Sequence, residues 1–360
     1  MNTITRRRFL EATALAGLSA VAVGQAQTAG PKPARIRIGQ IGTGHAHAAG
    51  KMETMRKLDE FEVVGVVEPD ADRRAAAEKS KTYDGVPWMT EDQLLNAPGL
   101  QAVAVETTVK DLVPTATRCI AAGKHIHLDK PGGESLPAFK ALLDDAMRRK
   151  LTVQMGYMFR YNPAFLLCFQ LLREGALGEV FSIDTAMSKF LGPSERQGLL
   201  PYRGGSMFEL GCHVIDAVIT ILGHPDKVTP HRRSVSAIGD GWSDNDLAVF
   251  DYPRATATVR SSMVEVDGGS RRNFIVCGTK GTLQIQPLEA PAARLALNTP
   301  HGEFKKGYQD VKFPHAGGRY DGDFADLAKV IRGEKALAFT PEHDFTVQET
   351  LLLACGLPLG

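Results

Sequence analysis

Residues 35–152 alternate between short apolar runs and longer helix-forming stretches. The runs ARIRIGQIG, FEVVGVVEPD and LQAVAVETT are typical of buried strands, since each is mostly apolar and ends in glycine or in polar residues. The stretches ADRRAAAEKS and LPAFKALLDDAMRRKL favour helices. Strands that alternate with helices of this length predict βαβ units and a parallel, doubly wound sheet.

After residue 152 the pattern changes to longer strands. Residues 228–299 contain several of them, including DLAVFDY, ATATVRSSMVEV and RNFIVCGTKGTLQIQP, separated by Gly, Asn and Pro turns. Such a series predicts an open, mostly antiparallel sheet, and apolar helices precede and follow it. We therefore expect a Rossmann-type α/β domain over residues 31–152 and a second α/β domain over residues 153–360.

The first thirty residues form a different kind of segment. A basic start is followed by an uncharged run over residues 12–23, which is too short to span a bilayer and is typical of a removable export signal. The sequence TRRRFLE at positions 5–11 resembles the twin-arginine signal, with cleavage expected near residue 26. That resemblance implies export by the twin-arginine machinery and a periplasmic or extracellular location. An amphipathic N-terminal helix or a misplaced start codon is the alternative.

The net charge, composition and cysteine content argue against some classes of protein. The net charge of +1, with 43% hydrophobic and 23% charged residues, is ordinary for a globular protein and gives no electrostatic basis for binding nucleic acid. Five scattered cysteines, without a C-x-x-C pair, argue against a disulfide framework or a zinc ribbon.

The segment GTGHAH at positions 42–47 follows a predicted strand and precedes a predicted helix. Gly42 suits a tight turn, and Gly44 lets the backbone approach a pyrophosphate at the helix N-terminus. Glu68 follows the second strand, where an acid binds the ribose hydroxyls and favours NAD over NADP. These features predict nucleotide binding, although His47 replaces the third glycine of G-x-G-x-x-G. A purely structural glycine turn is the alternative.

Two further features of this region leave alternatives open. His45 and His47 form an H-x-H pair, but the same segment supplies no third ligand, so no metal is expected. Arg73 and Arg74 lie near Glu68 in the sequence and keep NADP possible.

Two downstream motifs carry candidate acid–base chemistry. Lys130 ends a predicted strand and is stiffened by Pro131, at the sheet edge where doubly wound folds bind ligands. Glu209, His213 and Asp216 share one face of a predicted helix, where carboxylates can hold and tune an imidazole. The alternatives are a surface lysine and a histidine satisfied within a capped helix.

In this order and spacing, the motifs resemble the Gfo/Idh/MocA family of oxidoreductases. The matching stretches are the G-x-G turn, AGKHIHLDKP, GYMFRYNPAFLLCFQLLREGALGEV, GGSMFELGCHVIDAVITILGHP and VCGTKGTLQI, and from first to last they span nearly all of residues 35–285. The chain departs from the family pattern in four places, which are His47, Leu112, Asp129 and Glu209.

The resemblance implies roles for particular residues. The catalytic set is Lys130, which orients the substrate, His213 as general acid/base, and Glu209 beside that histidine. The substrate-binding set is Arg160, Tyr161 and Asp216. The cofactor-binding set is Gly42, Thr43, Gly44, His45, Glu68, Thr107, Thr108, Lys130 and Pro131.

The resemblance also implies a function. The expected reaction is hydride transfer between a tightly held NAD, or NADP, and a sugar, polyol or related carbohydrate. The C-terminal sheet is expected to form a homo-oligomer. The alternatives are an NAD-dependent glycosidase that works by transient oxidation and elimination, and a ligand-binding member without catalysis.

Overall fold

The computed structural model describes residues 33–314 and 317–360. The export signal expected over residues 1–30, with its cleavage site near residue 26, lies outside these ranges. Within the described residues, no helix combines the length and the apolar character that crossing a membrane requires.

The N-terminal sheet consists of five parallel strands in the order β2-β1-β3-β4-β5. Its strands are nearly all buried, because helices cover both faces of the sheet, and this explains their continuous apolar sequences. They are β1 (Ile36–Ile41), β2 (Phe61–Val67), β3 (Ala102–Val105), β4 (His125–Leu128) and β5 (Val153–Met155). The predicted Rossmann architecture is confirmed.

The helices between these strands begin at residues suited to capping. Thr90 and Gln93 form a reciprocal capping box, and the side chains of Asp70 and Ser135 each accept a hydrogen bond from a first-turn amide. The helices are α1 (Ala48–Lys57), α2 (Ala71–Ala77), α3 (Glu91–Leu95), α4 (Val109–Ala121) and α5 (Leu136–Arg149), with a 3₁₀ turn at Lys81–Tyr83.

The second sheet has eight strands in the order β13-β12-β11-β10-β6-β9-β8-β7. All neighbours are antiparallel except β6 and β9, which run parallel. The predicted open, mostly antiparallel sheet is thus confirmed. The strands are β6 (Val180–Ser188), β7 (Lys227–Arg233), β8 (Asn245–Tyr252), β9 (Ala255–Ser262), β10 (Asn273–Gly278), β11 (Gly281–Ile285), β12 (Ala292–Leu297) and β13 (Gly307–Lys312).

The remaining helices belong to the second half of the chain. They are α6 (Pro163–Arg173), α7 (Pro193–Leu199), α8 (Cys212–Leu222), α9 (Asp321–Ile331) and α10 (Pro341–Ala354), and a π-helical turn at Met207–Gly211 leads directly into α8. One apolar core joins one face of the parallel sheet to the helices and strands of the second sheet, so the two halves share their interior.

The boundary between the two structural units lies beyond residue 152, which is the boundary that the sequence predicts. Strand β5 still belongs to the parallel sheet, which extends that unit to Met155. Helix α9 packs on the other face of the same sheet, where Phe324 and Leu327 join Met52 and Phe61 in a second core. The last part of the chain therefore helps to build the N-terminal unit.

Candidate active site

The carboxyl ends of neighbouring strands bring the candidate residues together. Strand β3 lies between β1 and β4, so the loops that follow these three strands meet at one edge of the sheet. Gly42 follows β1, Glu106 follows β3, and Asp129 follows β4. This edge is where doubly wound sheets bind their ligands.

Gly42 permits a close approach between two of these loops. Its φ is +94°, and a Cβ atom on it would lie 2.5 Å from the backbone nitrogen of Thr107 and 2.6 Å from the carbonyl carbon of Glu106. Its own amide donates to the carbonyl of Val67 at 2.7 Å. A residue with a side chain cannot occupy this position without moving the loop after β3.

Glu68 holds the glycine loop in place. Its carboxylate accepts hydrogen bonds from the amide of Thr43 at 2.7 Å and from the Thr43 hydroxyl at 2.8 Å. The amide of Asp70 donates to the other carboxylate oxygen at 3.0 Å. The carboxylate expected to bind ribose is therefore engaged with the loop itself.

The two arginines near Glu68 differ in orientation. Arg73 lies beside Gly44, where an added Cβ would be 3.3 Å from the Arg73 Cδ, whereas Arg74 pairs with Glu78 at 2.9 Å. Arg73 is thus the arginine that faces the nucleotide loop.

A cavity of about 250 Å³ lies beside this loop. Its lining combines the acid after β2 with the loop after β3 and the start of α4, and includes Glu68, Pro69, Arg73, Thr107, Thr108 and Arg118. The glycine turn and this cavity fit the pyrophosphate and adenosine parts of a dinucleotide. Thr107 and Thr108, expected to bind the cofactor, line this cavity.

Lys130 and Glu209 form the charged pair of the cleft. The Lys130 ammonium donates to the backbone carbonyl of Glu209 at 2.9 Å and lies 3.6 Å from its carboxylate. Burial is the largest effect on Lys130 and by itself lowers its pKa, but Glu209, Cys212 and Asp129 together outweigh it and raise that pKa, so the ammonium stays charged. Burial is likewise the largest effect on Glu209 and by itself raises its pKa, but Lys130 and the neighbouring basic groups together outweigh it and lower that pKa.

The predicted pairing of Glu209 with His213 is wrong. Glu209 lies in the π-helical turn Met207–Gly211 and His213 lies in α8, so the two residues do not keep the regular α-helical spacing that the prediction assumed. Within the described residues, the buried Nδ1 of His213 has no hydrogen-bond partner. Burial, followed by the charge of Lys130, lowers the pKa of His213 well below its usual value, so its imidazole is neutral at neutral pH.

A buried cluster of charged residues lies directly beneath the glycine loop. The Asp129 carboxylate is 2.8 Å from His45 Nδ1, 3.2 Å from His47 Nδ1 and 2.7 Å from Lys51 Nζ. Lys51 also bonds Glu106 at 2.9 Å. We refer to these five residues as the Asp129 cluster.

The two acids of the Asp129 cluster differ in ionisation. Burial raises the pKa of Glu106 well above its usual value, and the neighbouring Asp129 carboxylate adds to this effect. Burial has the same tendency at Asp129, but His45 and Lys51 outweigh it and hold the pKa of Asp129 well below its usual value. Asp129 therefore holds a negative charge more readily than Glu106 does.

The Asp129 cluster also bears on the H-x-H pair. Among the described residues, His45, His47 and Asp129 form a group whose potential ligand atoms lie within 4.8 Å of one another. Asp129 is the carboxylate that the histidine segment itself does not supply. However, the Lys51 ammonium already occupies this carboxylate at 2.7 Å, so a metal ion would have to displace it.

Arg160 and Asp216, expected to bind substrate, instead bind each other. Arg160 Nη2 donates to Asp216 at 2.7 Å and also to Asp344 in α10, and the guanidinium is completely buried. Tyr161 donates to Asp326 at 2.8 Å, in helix α9. These contacts place all three predicted substrate residues in links between the loop after β5 and other helices.

Three residues of the cleft were missed in the sequence. Lys51 follows His47 by one helical turn, and Glu106 directly follows a buried strand. The position of each residue in the sequence pattern could therefore have identified it as part of the cleft. Lys189 follows β6 and is half-buried; burial lowers its pKa, and Glu209 and Lys130 are the nearest charges that act on it. Nothing in the local sequence distinguishes Lys189 from a surface lysine.

Two family models match the chain. The NAD-binding Rossmann fold of an oxidoreductase family matches residues 36–157, and the GFO/IDH/MocA C-terminal domain matches residues 165–284. The matches span about two thirds of the chain. Pro131 and the other predicted cofactor residues fall within the first match.

Individual relatives share low sequence identity with this chain, but the matched regions are long. Oxidoreductase YhhX of Escherichia coli is 27% identical over 63% of this chain and 65% of its own length. The scyllo-inositol 2-dehydrogenase (NADP(+)) IolW of Bacillus subtilis is 23% identical over 87% of this chain and 90% of its own. An oxidoreductase structure from Erwinia carotovora atroseptica superposes with a TM-score of 0.77 at 20% identity, covering 89% of this chain and 98% of that one, which shows a shared fold.

Replacing Gly42 by alanine should reduce both stability and nucleotide binding. A left-handed alanine and the clash with the loop after β3 together are expected to lower the free energy of unfolding by about 2–4 kcal/mol. Urea denaturation and calorimetric titration with NAD and NADP measure the two effects. Gly85→Ala is the matched control, because Gly85 has φ +73° but no atom within 4 Å of an added Cβ. Equal losses in both variants would contradict the close approach at Gly42.

Replacing Arg160 by methionine should destabilise the protein strongly. The change leaves the carboxylates of Asp216 and Asp344 buried without their cation, which is expected to cost about 3–5 kcal/mol of unfolding free energy in chemical denaturation. Arg148→Met removes an exposed arginine that bonds Asp145 at 2.9 Å, and should cost less than about 1 kcal/mol. A small effect at Arg160 would show that the buried network is not needed for folding.

Proposed function

This chain belongs to the Gfo/Idh/MocA family of NAD(P)-dependent oxidoreductases, and we propose that it interconverts an alcohol and a ketone on a sugar, polyol or related carbohydrate. The observation that carries the proposal is the arrangement of Lys130 and His213 beside the glycine loop. Lys130 supplies a charged donor, and His213 supplies a neutral imidazole in the same cleft.

The proposed chemistry divides between cofactor and protein. A bound nicotinamide supplies the acceptor or donor of the hydride. The Lys130 ammonium, kept charged by Glu209 at 3.6 Å, donates a hydrogen bond to the substrate oxygen and favours negative charge there. His213 removes the hydroxyl proton during oxidation and returns it during reduction, which its neutral state permits.

Glu209 has a different role in this proposal from the one that its helix position suggested. It acts on Lys130 and not on His213, because its backbone carbonyl and its carboxylate, in the π turn, both lie near the lysine. The carboxylate therefore stabilises the ammonium that contacts substrate.

The substrate class rests on the relatives and on the polar cleft. The Bacillus subtilis relative that matches most of this chain is a scyllo-inositol dehydrogenase, a polyol enzyme. Lys130, Lys189, Glu209 and His213 offer this chain several donors and acceptors for neighbouring hydroxyl groups. We propose NAD or NADP as cofactor, since Glu68 and Arg73 both face the nucleotide loop.

Cellular location and assembly complete the proposal. The twin-arginine-like TRRRFLE segment supports export of the folded, cofactor-loaded protein, followed by oxidation and reduction of two different carbohydrates on one retained cofactor. The second sheet, with Phe181 half exposed on its surface, supports a homo-oligomer formed through that sheet.

Identification of a retained nucleotide tests the function directly. The purified protein is denatured, the released nucleotide is identified, and the native protein is then mixed with scyllo-inositol, myo-inositol and a panel of aldoses while absorbance at the wavelength of reduced nicotinamide is followed. We expect release or binding of NAD or NADP, and reduction by at least one sugar or polyol. Absence of any nucleotide binding would refute the proposal. Hydrolysis of nitrophenyl glycosides without net cofactor reduction would favour the glycosidase alternative.

Lys130→Ala and His213→Ala should retain nucleotide binding and lose turnover. Each variant removes a group that assists proton transfer or oxygen polarisation, so kcat is expected to fall at least about 100-fold. The matched controls are Lys140→Ala, an exposed lysine that pairs with Asp144, and His301→Ala, which pairs with Glu174. Near-normal kcat in either cleft variant would refute the role assigned to that residue.

A further inference from the structure

His45 and His47 both have the Asp129 carboxylate as a partner, and His47 is the one of the two whose ring lies against His213. The Nδ1 of His47 lies 3.2 Å from the Asp129 carboxylate, and Asp129 is itself fixed by Lys51 and by the amide of Lys130 at 2.7 Å. A carboxylate at Nδ1 selects the tautomer in which Nδ1 carries the proton and Nε2 is free to accept one. This is the support that the sequence predicted for His213 and that His213 does not have.

His47 also lies beside His213. The two ring centroids are 5.9 Å apart, a separation that one bridging water molecule can span. The side chain of His47 is 12% exposed, whereas His213 is 1% exposed. The other rings against His213 are Tyr157 and Phe159. Burial raises the pKa of Tyr157 well above its usual value, so neither ring takes up a proton at neutral pH.

We propose that His47, held by Asp129, is the relay residue that carries the substrate proton between His213 and solvent. The inference rests on the proposed oxidoreductase function. His47 replaces the third glycine of the nucleotide fingerprint, and this proposal assigns a function to that histidine.

The relay balances in both directions. During oxidation, the C–H bond breaks with its electron pair going to the nicotinamide, and the O–H bond breaks with its proton going to His213. The His213 imidazolium then gives a proton to Nε2 of His47, and His47 releases a proton to water, so both histidines return to their neutral forms. Reduction of a ketone reverses each step and draws the proton from water.

Charged groups act on the pKa values of both rings. Lys130, His47 and Arg319 disfavour a proton on His213, and Asp129 is the carboxylate that favours it. The same Asp129 carboxylate lies within hydrogen-bond distance of His47 and favours a proton on it, whereas Lys130 and His45 disfavour one. The ring of His47 also contacts the ring of Tyr320. Burial is the largest effect on His47 and lowers its pKa to about 4, so its imidazole is neutral at neutral pH.

Imidazole NMR tests the relay without a known substrate. Protein labelled with ¹⁵N-histidine and saturated with NAD or NADP is titrated with acid, and His47→Gln and His213→Gln assign the signals. We expect His47 to show a protonated Nδ1 and a free Nε2. Removing the neighbouring ring in His47→Gln should raise the pKa of His213 by at least about half a unit. A protonated Nε2 on His47, or an unchanged His213 titration, would overturn the proposal.

Kinetics provide a second readout on whichever carbohydrate the wild type turns over. His47→Gln should lower kcat about 10- to 100-fold with KM nearly unchanged, and added imidazole should restore part of the loss. Asp129→Asn should show the same defect with its pH profile displaced. His301→Gln is the matched control, since His301 pairs with Glu174 at 2.7 Å on the surface. Wild-type kcat in His47→Gln would overturn the relay.

Two other results are distinguishable from these. A wild type without turnover on every carbohydrate would refute the proposed function, and the NMR titration would then decide whether the two histidines are coupled. Stoichiometric Zn²⁺ binding that is lost in His47→Gln would identify His45, His47 and Asp129 as metal ligands and overturn the relay. Equal melting temperatures of wild type and variants, measured alongside, exclude unfolding as the cause of lost activity.

Discussion

The carboxylate of Asp129 is the contact on which the arrangement of the cleft depends. It follows β4 and receives Lys51 from α1, both histidines of the glycine loop, and the amide of Lys130. A buried carboxylate is tolerated only when cations and donors surround it. Asp129 therefore fixes the nucleotide loop relative to the strand end that bears Lys130.

The same constraint explains why the glycine fingerprint is incomplete. A third glycine normally allows the first helix to approach the sheet closely. Here His47 turns toward Asp129, and Lys51 fills the space under the helix, because Gly156 leaves room for it; a Cβ there would lie 2.7 Å from the Lys51 ammonium. The loop keeps its turn at Gly42 and acquires a buried ionic contact.

The end of the chain completes both the fold and the cleft. In α9, Asp323 accepts from His127 in β4 at 2.7 Å and from Gln154 in β5, which ties this helix to the parallel sheet. In α10, Gln348 accepts from the amide of Gly132, two residues beyond Lys130. The strand before Lys130 and the loop after it are thus each bonded to a helix that lies about two hundred residues later in the chain.

The sequence by itself determined the order of elements, the two sheets, the glycine turn and the placement of Lys130 and His213. These features follow from local patterns, since apolar periodicity sets strands and helices, and strand ends set the ligand edge. The tertiary structure alone decided the partners of the polar residues. Glu209 lies in a π turn and pairs with Lys130, while Arg160 and Asp216 neutralise each other in the core and His47 obtains its carboxylate from β4. Hydrogen bonds and ion pairs depend on distances between segments far apart in the chain, and spacing within one segment does not contain that information.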